Sequence, residues 1–75
     1  MAVFGPMTRN IGIGKTSRAG RTGNEHAILG VACDWIRLSR KLDGADSVMI
    51  EDSNITSETD DQYVVTVEWY ETRKD

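Results

Sequence analysis

A chain of 75 residues holds one small domain at most, and its single cysteine, Cys33, excludes an internal disulfide that would reinforce a modest core. No apolar run has the length of a membrane span and no signal-peptide pattern opens the chain; with a lone cysteine, this points to a cytoplasmic protein with no membrane partner. The net charge of −3 hides a split: residues 1–41 carry seven basic side chains against two acidic ones (+5), and residues 42–75 carry ten acidic against two basic (−8). Such a chain is electrically bipolar, so its halves neutralise each other within the fold, join copies head to tail, or meet a charged partner.

Residues 1–8 carry the only proline, Pro6, and read as an N-terminal arm. Residues 9–15 read as a strand, with Ile11 and Ile13 pointing one way. The run "NIGIGKT" at 10–16 invites comparison with a phosphate-binding loop, since Gly14, Lys15 and Thr16 fill its last three places. The first glycine of that motif falls on Arg9, however, and the loop needs it to wrap its backbone N–H groups around phosphate. "SRAGRTG", residues 17–23, reads as a flexible basic loop rather than the helix a phosphate loop requires.

Residues 23–42 carry the strongest periodic signal. Ile28, Val31, Trp35, Leu38 and Leu42 recur at steps of three and four, which predicts a helix burying that stripe. Thr22 and Glu25 have capping-box spacing, and Gly44 stands where a left-handed residue ends a helix. Arg37, Arg40 and Lys41 favour the negative end of its dipole.

Two strands follow. Residues 47–56 begin with alternation and lose it at Asp52-Ser53-Asn54, which predicts a bulge or the end of the strand. Residues 62–71, "QYVVTVEWYE", are rich in β-branched and aromatic side chains and should pair with 47–56 as an antiparallel hairpin. The expected architecture is α+β: a single domain, 1–75, of order β-α-β-β, with a three-stranded sheet packed on one helix. Ile11, Ile13, Val48, Ile50, Tyr63, Val65, Val67 and Trp69 would face the helix. Gly12, Gly14, Met49, Val64, Thr66, Glu68 and Tyr70 would form a half-apolar second face that another copy could cover.

No constellation for catalysis or metal binding emerges. His26 has no second histidine or cysteine at ligand spacing and reads as a surface residue, and Cys33 reads as a small core filler. Glu51-Asp52 and Asp60-Asp61 lack the spacing of a calcium loop and read as solvated charge. Trp35 and Trp69 read as core. The residues expected to carry partner or assembly contacts are the basic set Arg9, Lys15, Arg18 and Arg21, the acidic turn Asp60 and Asp61, and Met49, Val64 and Tyr70 on the second face.

In its order of elements the chain resembles the dodecins, small cytosolic proteins whose three-stranded sheet wraps one helix and whose copies form a hollow shell. "RNIGIGKTS" looks like the family's first strand and turn, "HAILGVACDWIRLSRKL" is similar to its helix, and "YVVTVEWY" to its last strand. The resemblance implies homo-oligomeric storage and a bound flavin. The family's flavin-stacking tryptophan stands just after the helix, two residues past a leucine; here Leu42 is followed by Asp43-Gly44-Ala45 and no aromatic. The residues themselves therefore point to no cofactor.

The expected function is a non-enzymatic homo-oligomeric binding protein of dodecin-like type. One alternative is a phage-type accessory inhibitor or adaptor that grips a protein partner with its acidic hairpin. The other is a nucleic-acid-binding module using the basic N-terminal arm. The basic stretch concerned, "TRNIGIGKTSRAGR" at residues 8–21, lacks interleaved aromatics for base stacking, and the acidic half repels phosphate.

Overall fold

In the computed structural model, which describes residues 1–74, the most β-prone stretch of the chain becomes the central strand. The sheet consists of β1 (Ala2–Gly14), β2 (Ser47–Glu58) and β3 (Gln62–Arg73), in the spatial order β1-β3-β2 with both pairings antiparallel. Two helices stand between β1 and β2 in the chain: α1 (Arg18–Thr22) and α2 (Glu25–Leu42). The α+β architecture and the β2–β3 hairpin are as expected. No helix among the described residues is long and apolar enough to cross a membrane.

Residues 1–8 are not a free arm. They extend β1 along the whole length of β3, because a twelve-residue central strand offers a ladder far beyond residue 9. The register shifts between Phe4 and Met7, around the cis Gly5–Pro6 bond. Proline has no ladder N–H to give, so it belongs at such a break. Gly5 has φ 129, which side-chain-bearing residues rarely adopt, and a Cβ there would crowd the Trp69 carbonyl.

Residues 17–23 are not a loop either. Ser17 caps α1, its hydroxyl accepting from Gly20 N–H at 3.2 Å, and Thr22 closes the turn by donating to the Ala19 carbonyl at 2.6 Å. Buried Gly20 lets α1 lie directly on β1: a Cβ at this position would overlap the Gly14 carbonyl. Gly20→Val is therefore expected to push α1 off the strand and to lower stability by about 1–3 kcal/mol, the usual cost of overpacking, read as an earlier urea midpoint.

The Thr22–Glu25 capping box does not form. Asn24 caps α2 instead, its side-chain oxygen accepting from His26 and Ala27 N–H at 2.9 and 3.3 Å, because Thr22 is committed to α1. At the far end Gly44, with φ 107, follows the C-cap Asp43 as expected.

The buried side of α2 differs from the predicted stripe. Ile28, Ala32, Cys33 and Ile36 enter the core and meet Ile13, Val65, Val67 and Trp69 from the sheet. Val31, Trp35, Leu38 and Leu42 remain 46, 44, 62 and 81 % exposed. The helix carries two apolar rows at helical spacing, and close approach selects between them. Ala32 and Cys33 let the helix axis come near the sheet, where a tryptophan would hold it off. Ile28 and Ile36, one turn to either side of Ala32, then lock the seat, each contributing about 1.5–3 kcal/mol by burial.

The buried row continues to Arg40, which closes that end of the core by gripping Glu71 of β3. Glu71 is fully buried. Its carboxylate accepts from Arg40 Nε at 2.8 Å, Arg73 Nε at 2.6 Å and Trp69 Nε1 at 3.0 Å. These donors, Arg40 foremost, hold its pKa down to about 2 from an ordinary 4.5. No buried side-chain nitrogen or oxygen among the described residues lacks a partner.

The expected bulge in β2 becomes two, between Ile50 and Asp52 and between Ile55 and Ser57. The first, lying between them, re-aims the strand so that Ile50 and Ile55 both pack on the core despite their odd spacing.

Candidate functional site

α2 makes its main contacts with β2 and β3, so the β1 side of the inner sheet face is left open. Arg9, Ile11 and Ile13 of β1 share that face, since they pair with Val67, Val65 and Tyr63. Opposite them stand Val31 and Trp35 of α2. Between the two walls lies a cleft of about 350 Å³. The Arg9 guanidinium sits 4.8 Å above the centre of the Trp35 ring. A cation at that distance over an indole is attracted by about 0.5–1 kcal/mol at an exposed site, so the pair sets the cleft's rim.

A second hollow of about 400 Å³ adjoins it between α1 and α2, where Arg18, Ala19 and Thr22 face His26, Ala27 and Asp34. Val31 lines both. Arg9 stands at the margin of the first, and Arg18 and Asp34 at that of the second. Beyond Trp35 the exposed apolar row of α2 runs on through Leu38 and Leu42, which line neither hollow. Among the described residues no group of three or more His, Cys, Asp or Glu side chains is placed to hold a metal ion.

The residues expected to bind partners divide into separate places. Arg9 lines the cleft, and Arg18 lines the adjoining hollow. Arg21 is exposed on α1. Lys15 is occupied within the chain: its Nζ lies 2.6 Å from Glu58 and 5.1 Å from the Tyr63 ring centre, and the Glu58 bond raises its pKa. Its backbone N–H donates to the Asp61 carbonyl at 2.8 Å. The basic segment and the acidic hairpin carrying Asp60 and Asp61 thus meet inside one molecule. Arg40 and Arg73 meeting Glu71 and Asp43 add to that internal neutralisation.

Met49 and Tyr70 are cross-strand partners on the outer face, but Val64 lies six residues from Tyr70, about 20 Å along β3. Between them the face is polar. Thr66 donates to Asn10 and shares a hydroxyl contact with Thr56, both at 2.8 Å, which forms a row across all three strands. The larger apolar exposure is on α2 instead. Val31, Trp35, Leu38 and Leu42, expected from the sequence to be buried, all stand exposed, and Val31 and Trp35 line the cleft. The available signal was the competing row Ile28, Ala32, Ile36, Arg40, whose small central residue suits contact with a sheet.

No family model, no curated protein and no solved structure matches this chain.

Proposed function

We propose that this chain is a non-enzymatic binding protein that works as a homo-oligomer, with copies packing through the C-terminal half of the exposed row on α2. The observation that carries this reading is the exposure of Leu38 and Leu42, 62 and 81 %, one and two turns beyond half-exposed Trp35. Large apolar side chains aligned on one helix side are costly to leave in water, at roughly 25 cal/mol per Å². The small core gives the chain a further reason to bury them, since a domain this size has little stability in reserve. A stable interface needs about 800 Å² from each partner, roughly a sixth of this molecule's 4850 Å². The dodecin-like order of elements supports the same reading, because that family acts as assemblies.

The test is native mass across the micromolar range. A species larger than 8.3 kDa is expected, with Leu38→Asp plus Leu42→Asp returning it to monomer while the circular dichroism stays unchanged. A stable 8.3 kDa wild-type species throughout that range removes the proposal.

A further inference from the structure

We propose that the free edge of β1, from Met7 to Ile13, accepts an extended acidic peptide of another protein as a fourth strand, its alternate side chains entering the cleft between β1 and α2. This goes beyond self-association, which uses the Leu38–Leu42 end of the helix.

Three observations converge. The first is the edge. β1 ends the sheet order, and from Met7 to Gly14 its register with β3 is unbroken. A strand paired on one side only turns every second N–H and C=O outward, which is a template for another chain. The opposite edge, β2, is defended by two bulges and by Glu51, Asp52 and Glu58. The β1 stretch has no bulge and no proline, and its one charge, Arg9, is folded over Trp35.

The second is the cleft beside that edge. A strand added at β1 would lie about 4.8 Å away and send alternate residues to the inner face. There they would fall alongside Arg9, Ile11 and Ile13, in the 350 Å³ space under Val31 and Trp35. Backbone pairing provides affinity in this mode, and the side-chain pockets provide selectivity.

The third is charge. Residues 1–23 hold Arg9, Lys15, Arg18 and Arg21 and no acidic residue. Lys15 is neutralised by Glu58, whereas Arg9, Arg18 and Arg21 have no ion-pair partner among the described residues. Arg9 borders the cleft and Arg18 the adjoining hollow, where the one carboxylate, Asp34, is paired with Arg37. An occupant with carboxylates between its apolar residues complements this rim.

The experiment uses the full chain and a labelled peptide as long as Met7–Ile13, alternating valine and glutamate. Three comparison probes accompany it: the same peptide N-methylated on alternate amides, its lysine counterpart, and a single-stranded oligonucleotide. Expected are binding by anisotropy, a change in tryptophan emission that vanishes in Trp35→Phe, and slowed hydrogen exchange at β1 amides. Arg9→Glu should weaken binding about tenfold, as loss of a close charge contact does. The N-methylated and lysine peptides should not compete. Absence of binding, undiminished binding of the N-methylated peptide, protection of β2 rather than β1, or displacement by the oligonucleotide would each overturn the proposal. The Leu38→Asp plus Leu42→Asp chain should still bind the peptide, since neither residue lines the cleft, with any loss from its two added carboxylates shrinking as salt is raised. Binding by that variant alone would mean that a second copy fills the cleft in the wild type, and would also overturn it. Loss of assembly in the variant with peptide binding intact bears only on self-association.

Discussion

Arg40→Leu is expected to cost about 3–5 kcal/mol of folding stability, the usual loss when one partner of a buried ion pair is removed. The residue left behind decides the size. Glu71 is wholly buried, and without Arg40 its carboxylate keeps only Arg73 and the Trp69 N–H. Glu71→Gln should cost less, although it removes the same pair. Arg40 and Arg73 both reach Asp43, at 3.4 and 3.3 Å, and their side chains keep 23 and 29 % exposure, so both cations retain a partner and water. Urea unfolding at fixed protein concentration measures both variants. A smaller loss for Arg40→Leu than for Glu71→Gln would contradict this account of the network.

The same network sets the acid limit. Glu71 titrates at about 2 in the folded chain against an ordinary 4.5, so its contribution is complete above pH 4.5 and disappears as the pH falls towards 2. The stability gap between wild type and Glu71→Gln should therefore narrow across that window and stay constant between pH 5 and 7. A gap that does not change with pH would mean that the charge of Glu71 contributes nothing.

Much of the fold is legible in the sequence because periods of two and of three to four are local signals. "QYVVTVEWYE" reads as a strand, and the inner-face rows Val65, Val67, Trp69 and Ile11, Ile13 follow from the alternation of their two segments, whereas its central place in the sheet does not. What the sequence hides depends on distance in space. Pro6 reads as a break, yet the length of β3 draws residues 2–4 into the sheet beyond it. The Gly20 that suggests a loop is instead the residue whose missing side chain lets α1 touch β1. Glu71 lies in the charged tail of the chain, and nothing near it in sequence announces that Arg40, 31 positions earlier, will bury it. The cleft was illegible for the same reason. Arg9 reads in sequence as one of a basic set and Trp35 as core, and only the sideways placement of α2 over β2 and β3 brings them face to face.

The choice between the two rows on α2 yields the other large effect. Ile36→Ala removes a side chain with no exposure, packed between helix and sheet, and should cost about 2–5 kcal/mol through lost transfer energy and the cavity left behind. Trp35→Ala removes a larger side chain from the next position. It should change stability far less, because nearly half of Trp35 already faces water and its described partner is the Arg9 guanidinium at the rim. A helix that buried the Ile28, Val31, Trp35, Leu38 row would reverse this order, since it would put Trp35 in the core. Side-by-side urea titrations of the two single variants decide the matter. If Trp35→Ala proves the more destabilising at a concentration where the chain is monomeric, α2 is rotated about its axis and the cleft does not exist. If that excess loss appears only at concentrations where copies associate, Trp35 is buried between copies, because stability from an interface scales with protein concentration while stability from a core does not.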